Sequence, residues 1–402
     1  MVVVDGGGVR SLELETGADV VIIGAGVIGC STAYHLARMG ITDVVIVEME
    51  QVGAGTSSKS ASMLSLQFCG AELVARMTRY CYDRYMQFEE ELGTPIDFTP
   101  IGWLSLATEE TADHLRQTAE MLQSLDIETE ILTPEEIAYR YPAIRVDDLV
   151  LGTWGPGDGP LDPHMVMWGY VGRAREMGVR LRQGVRATGI RVVGGRVVGV
   201  ETDAGFVATG TVVNAGGPWA IEIGRWLGLE IPIINAARSI LVTGPFPDIP
   251  SDWPFVEDVT VEWYVRPEGP GLLMGMGVTP TDQLDIPFRM EVAYEMIDTA
   301  VHRVPVLEHA PFMTGWTGVR PMTLDDLPIL GPVHEVEGVV LNCGWGGTGI
   351  IHAPLAGQLA AEYVAQGRTQ TLDLHPFRME RFAGVNVREV ADLRVHSRQA
   401  GA

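Results

Sequence analysis

Asp19-Val20-Val21-Ile22-Ile23 is a short β-branched run that stops at glycine, and from Ser31 to Met39 apolar positions return at helical spacing. The pattern predicts strand, turn, helix. Ile41 to Glu48 (ITDVVIVE) then reads as a second buried strand, which completes a βαβ unit of about 30 residues. Helical spacing resumes over Ala71 to Glu91 and Glu109 to Leu125, on either side of Asp97 to Ala107 (DFTPIGWLSLA), whose alternation predicts a strand. Gly178 to Gly216 reads as a run of hairpins, punctuated by Gly194-Gly195 and Asp203-Ala204-Gly205 and closing on the apolar strand Thr211-Val212-Val213. Ile231 to Met276 reads as antiparallel strands with a proline-rich break at Gly244 to Pro254, and Ile286 to Val304 as a helix. Gly338 to Ala365 returns to the opening theme, with a strand at Val339-Val340-Leu341, a glycine-rich turn and a helix.

A chain of 402 residues, 46% hydrophobic and 20% charged, is long enough for two interleaved domains with substantial cores. Its formal net charge of -24 argues against a nucleic-acid partner, which needs basic stripes. Cys30, Cys69, Cys81 and Cys343 form no CxxC pair, which suits a reducing cytoplasm and makes a bound metal unexpected. Residues 1–18 lack both a basic start and an uninterrupted apolar run, so a flexible extension is expected rather than a signal peptide. Val20 to Ala37 and Val339 to Ala361 approach membrane-span length but are broken by glycine, asparagine and other polar residues, so no membrane partner is expected. Lys59 is the only lysine.

Gly24-Ala25-Gly26-Val27-Ile28-Gly29 stands between the first strand and helix as a GxGxxG turn. In such a turn the first glycine permits the bend, the second lets backbone approach a pyrophosphate, and the third lets helix pack on strand. The helix N-terminus then faces the phosphates, and Glu48, at the end of the next strand, is placed to accept a ribose hydroxyl. A nicotinamide enzyme usually continues with alternating βα units, whereas this chain passes to hairpins, so FAD is the expected dinucleotide. Gly344, Gly346, Gly347, Thr348 and Gly349 open the last helix, whose N–H groups would meet the flavin pyrimidine edge, where negative charge gathers on reduction. The expected fold is α/β: a Rossmann-like FAD domain (19–85, 150–225 and 315–372) interleaved with an α+β, mixed-sheet substrate domain (86–149 and 226–314), with 373–402 as a tail.

Several ordered motifs carry a resemblance to the glycine oxidase, sarcosine oxidase and D-amino-acid oxidase group of flavoproteins. They are Val20 to Gly29 with Glu48, Gly53 to Leu64 (GAGTSSKSASML), Val212 to Trp219 (VVNAGGPW), Tyr264 to Pro267 (YVRP) and Gly318 to Gly331 (GVRPMTLDDLPILG). The 57–64 segment is most similar to glycine oxidases. The resemblance implies that Thr56, Ser57, Ser58, Ser60, Ala61, Met63, Val185, Asn214, Ala215, Gly216 and Trp219 join the glycine turns in holding FAD. Relatives similar to dimethylglycine dehydrogenase link flavin through a histidine where Lys59 stands, and monomeric sarcosine oxidases through a cysteine in the loop that Gly318 to Pro321 resembles. Neither residue is present, so non-covalent FAD is implied.

Arg320 occupies the position of the family's carboxylate-binding arginine, whose planar fork would hold a glycine carboxylate and fix its Cα–H over flavin N5. The bland reading pairs it with Asp325 or Asp326. Tyr264 matches a tyrosine on the same carboxylate, and Trp263 would face the other way in a strand. Arg266 and Met274 are further candidates on that sheet. Lys59 keeps three readings: a solvated charge, a stabiliser of superoxide-like charge, or a partner for a second substrate carboxylate. His164, His302, His334 and His352 form no motif with an acid.

The resemblance implies oxidation of the Cα–N bond of glycine or an N-substituted glycine. Imine hydrolysis then releases glyoxylate and amine, and O2 reoxidises the flavin to give hydrogen peroxide. A homo-oligomer would fit the group, and so would a role in natural-product biosynthesis, since the arginine-rich composition is common in actinomycetes. Two alternatives stand: a dehydrogenase subunit similar to sarcosine oxidase β or proline dehydrogenase β, and a non-catalytic flavin-binding protein.

Overall fold

The computed structural model describes residues 16–385. A six-stranded sheet runs in the order Ile329–Pro332, Val339–Cys343, Thr211–Asn214, Val20–Ile23, Val44–Glu48, Arg180–Gln183. Every pairing is parallel except that of the Ile329–Pro332 edge. Because both faces are covered, the central strands are apolar without alternation. Val20, Ile22, Val44 and Ile46 pack under the helices Val27–Arg38, Pro163–Glu176 and Gly349–Gln366. Val21, Ile23, Val45 and Val47 pack instead against Val197, Val200 and Val207 of a three-stranded antiparallel sheet. Burying each such side chain stabilises the fold by about 1.5–3 kcal/mol.

A second sheet has eight strands in the order Phe312–Met322, Ile234–Thr243, Gly271–Pro280, Trp263–Glu268, Phe255–Asp258, Trp103–Thr108, Leu149–Gly155, Glu130–Leu132. Its pairings are antiparallel apart from Phe255–Asp258 with Trp103–Thr108, which join in parallel and close two segments into one sheet. Within 231–276 the strands pair antiparallel, as expected; the parallel seam joins that range to a strand outside it. The strand expected over 97–107 begins only at Trp103, because Thr99 and Ile101 are diverted to the carbonyls of Pro160 and Asp158 (3.0 Å each). Its side chains alternate as expected, but neither face is exposed: Leu104 and Leu106 enter the core behind the sheet while Trp103 and Ser105 are buried in front.

The helix expected from Ile286 starts at Met290, because Pro287 disfavours helical backbone at the residue before it and Arg289 is still extended. This helix covers the back of the large sheet, where Met296 and Ala300 meet Trp263, Val265 and Met274. Arg303 at its end is buried and paired with Asp258 (2.8 Å) and Asp148 (2.7 Å).

Arg180–Gln183 leaves the expected hairpin run to pair with Val44–Glu48. The segment boundaries at 150 and 315 both fall inside strands of the large sheet. At the N-terminus Gly17 bridges to Ala208, so the extension read over 1–18 is tied down at its end, and residues 1–15 lie outside the described residues. Of the tail read over 373–402, two short 3-10 turns are described and Phe377 is buried; residues 386–402 lie outside. Among the described residues no helix is long and apolar enough to cross a membrane.

Candidate active site

One cleft of about 660 Å³ runs from the glycine turn of the parallel sheet to the front face of the eight-stranded sheet. At its first end Gly24 has φ +107°, and a Cβ there would stand 2.6 Å from the Ala215 carbonyl oxygen. A Cβ at Gly29 would lie 2.0 Å from the Gly24 carbonyl, so this glycine serves helix–strand contact. Gly26 opens to the cleft as the residue before a helix whose end carries no side-chain cap and no acid in its first turn. The N–H of Val27 donates to Ser57 Oγ (3.1 Å), which docks the Thr56–Met63 segment beside this helix end. Such an end, with its positive potential and no acid in its first turn, suits a pyrophosphate.

Glu48 lines the cleft where its strand ends and accepts the N–H groups of Ala25 (2.8 Å) and Glu50 (2.9 Å). Burial pushes its carboxyl above the usual range, against the pull of those two N–H donors. Val27, Ile28, Thr56, Ser57, Lys59, Ser60, Ala61, Met63, Ala215, Gly216 and Trp219 also line the cleft, as do Gly344, Gly346, Gly347 and Gly349 at the last helix.

Five of the residues read from the sequence as cofactor-binding do not line it. Gly29 is buried in the turn, and Ser58 turns towards Gly53. Asn214 braces its turn by donating to the Ala220 carbonyl (3.1 Å) and accepting from Gly216 N–H (3.2 Å). The Thr348 hydroxyl donates to the Trp345 carbonyl (3.0 Å). Val185 lies in the core and donates its N–H to the Glu48 carbonyl (3.0 Å), leaving Arg186 and Ala187 to line the wall.

The other end is built on strand register. Trp316, Ile240, Gly275, Tyr264, Glu257 and Ser105 form one row across neighbouring strands, so their side-chain positions share the front face. Trp263, one residue on, is fully buried in the core behind. Gly275 lets the Tyr264 ring lie across it: a Cβ there would come within 2.4 Å of the tyrosine oxygen. That hydroxyl is buried and has no hydrogen-bond partner among the described residues. Phe255 stacks between Tyr264 (5.1 Å) and Trp103 (3.8 Å), giving the chamber an aromatic wall. Arg266 is occupied elsewhere, donating to the Ala61 carbonyl (3.0 Å) and pairing with Glu268 (2.5 Å), and Met274 points into the core behind.

Arg320 lines the chamber where Gly347 makes room for it; a Cβ on Gly347 would stand 2.9 Å from its Nη1. Burial, and then the nearby Arg238, lowers its pKa to about 10, so it stays charged at neutral pH. Asp325 pairs instead with Arg381 (2.7 Å), and Arg320 has no ion-pair partner among the described residues.

Two polar chamber residues were not singled out from the sequence. Arg238 lies over the Tyr264 ring (4.7 Å) and donates one Nη to the Glu262 carbonyl (3.1 Å). Glu257 sits beside Tyr264 in the register, and burial pushes its carboxyl up to about 7, opposed by Arg238. Only the alternation within Phe255–Asp258 could have flagged Glu257, and that strand is too short to stand out.

The fold and cleft define a dinucleotide-binding protein whose cleft continues into an aromatic-walled chamber. Over residues 19–363 the chain matches the FAD dependent oxidoreductase (DAO) family and belongs to it, so FAD is its cofactor. It is 31% identical over 391 residues to human mitochondrial sarcosine dehydrogenase, covering 92% of this chain and 42% of that protein. It thus spans less than half the length of the mitochondrial relatives it matches. It is 29% identical to sarcosine oxidase subunit beta of Arthrobacter, over 92% of each chain. Among solved structures, glycine oxidase from Geobacillus kaustophilus superimposes with a TM-score of 0.82 at 28% identity, covering 91% of this chain and 99% of that one. The residues present fit FAD: the open Gly26, the acid-free helix end and Glu48 suit its adenosine diphosphate half, and the Gly344–Ile351 segment suits its flavin edge.

Proposed function

We propose that the chain oxidises the Cα–N bond of glycine or an N-substituted glycine with FAD held non-covalently, yielding an imine that water hydrolyses to glyoxylate and amine. The observation that carries this reading is Arg320, a guanidinium without an ion-pair partner among the described residues, on a wall shared with the unpartnered Tyr264 hydroxyl. Bound FAD supplies the two-electron acceptor, reoxidised by O2 with release of hydrogen peroxide.

Arg320 takes the substrate carboxylate through two parallel charge-assisted bonds, and the Tyr264 hydroxyl donates to the same group. This fixes the Cα–H relative to the Gly344–Ile351 segment, which would hold the flavin edge. The aromatic wall of Trp103, Phe255 and Tyr264 excludes water from the amine. Glu257, poised near neutrality, accepts the proton that an arriving ammonium must lose before its nitrogen lone pair can drive oxidation.

Anaerobic mixing with glycine, sarcosine and larger N-substituted glycines should bleach the flavin, and the absence of bleaching by every such amine would refute the reading. The similarity to a protein named as a dehydrogenase supports a second reading, in which electrons pass to a protein partner rather than to O2. Fast oxygen turnover by the isolated chain would exclude it.

A further inference from the structure

Three cationic side chains converge on the chamber wall, although one carboxylate anchor needs only one. Ala236 pairs with Arg320 and Arg238 with Gly318 on adjacent strands, so Arg238 and Arg320 are diagonal neighbours on one face. A Cβ on Gly318 would lie 3.1 Å from Lys59 Cβ, which places the root of Lys59 beside Arg238. All three line the cleft, and none has an ion-pair partner among the described residues. Arg238 Nε is buried without a hydrogen-bond partner. Glu257 and Glu262 act on Arg238 or Arg320 through their charge, but neither they nor Asp285 forms an ion pair with any of the three; Glu257 lies three strands from Arg238, beyond Tyr264. Like charges held on one wall repel one another, as the lowering of Arg320 by Arg238 shows, and an anion of matching valence relieves that repulsion.

We propose that the substrate is a dicarboxylic amine, whose second carboxylate lies between Arg238 and Lys59 while Arg320 holds the glycine carboxylate. This rests on the reading of Arg320 given above. The substituent on nitrogen is then a short acidic chain, as in iminodiacetate or an N-(carboxymethyl) amino acid. The same arrangement assigns Lys59 to substrate recognition.

The test compares two thioethers that cannot undergo amine oxidation and differ by one carboxylate, (methylthio)acetate and thiodiacetate, titrated into the FAD-loaded protein and followed by flavin absorbance. Thiodiacetate should bind at least about tenfold more tightly, one charge-assisted contact's worth. The advantage should fall towards parity in Arg238→Gln and shrink in Lys59→Met. Equal affinities in the unaltered protein would overturn the proposal even if a variant fails to fold, and so would an advantage that survives in both variants. Bleaching by iminodiacetate and sarcosine is read separately. Preferential thiodiacetate binding without bleaching by any amine would sink the oxidation chemistry and leave the dianion site standing, whereas bleaching with equal thioether affinities would do the reverse.

Discussion

Glu257→Gln isolates a single half-buried acid in the chamber. The carboxyl rises from 4.5 to about 7 on folding because burial disfavours its charge. A raised carboxyl pKa means that the folded state favours the protonated form. Its contribution to stability is complete below 4.5 and is lost as the pH rises through about 7. A displacement of that size corresponds to a ceiling of about 3 kcal/mol, which the open side of the cleft reduces to about 1–2 kcal/mol. Glutamine cannot ionise, so the variant should lack this loss and be more stable than the parent above neutrality. Thermal unfolding of the FAD-loaded proteins, followed by flavin fluorescence on both sides of that pH range, measures the difference. Anaerobic reduction provides an independent readout. In the parent the rate with a fixed amine should rise with pH through about 7 as the carboxylate forms, and in the variant that limb should move up to the amine's own titration. Parallel stability curves together with superimposable reduction profiles would refute both the burial argument and the proton-accepting role.

Arg320→Lys should retain FAD yet reduce at least about tenfold more slowly, since an ammonium cannot reproduce two parallel bonds; single-turnover reduction at saturating amine checks this. Glu48→Ala removes the acceptor for Ala25 and Glu50 N–H and should weaken FAD retention by about 1.5–3 kcal/mol, measured as the dissociation constant after reconstitution. Acid precipitation should release all the flavin, with a colourless pellet. Gly275→Ala should displace the Tyr264 ring and raise KM for the glycine-type amine while FAD absorbance stays normal.

The glycine turn, its strands and Glu48 were legible because each answers to local backbone geometry: a positive φ at Gly24, a close approach at Gly29, a strand end at Glu48. Arg320 and Tyr264 were legible from motif resemblance. Arg238 and Glu257 were not, because only strand pairing brings their two strands into one sheet, and no short window of sequence holds both. The same limit explains Val185 and Asn214. Their neighbourhood in the chain was read well, but side-chain direction turned each into a brace for the wall rather than part of it. The parallel seam at Phe255–Asp258 was hidden for a related reason, since strand direction is set by a partner some 150 residues earlier in the chain.

The order of strands in the two sheets also bears on how the protein is made. Val20–Ile23, emerging first, lies between Val44–Glu48 and Thr211–Asn214, and the latter must wait for Val339–Cys343 before its other edge is covered. The large sheet is likewise closed by Phe312–Met322, the strand that carries Arg320. During synthesis the first glycine turn therefore exists long before the walls that surround it, with apolar strand edges waiting for distant partners. Cofactor capture is expected only after the Gly344–Ile351 segment has been made. A ribosome-bound fragment ending before residue 339 should neither retain flavin nor escape chaperone binding.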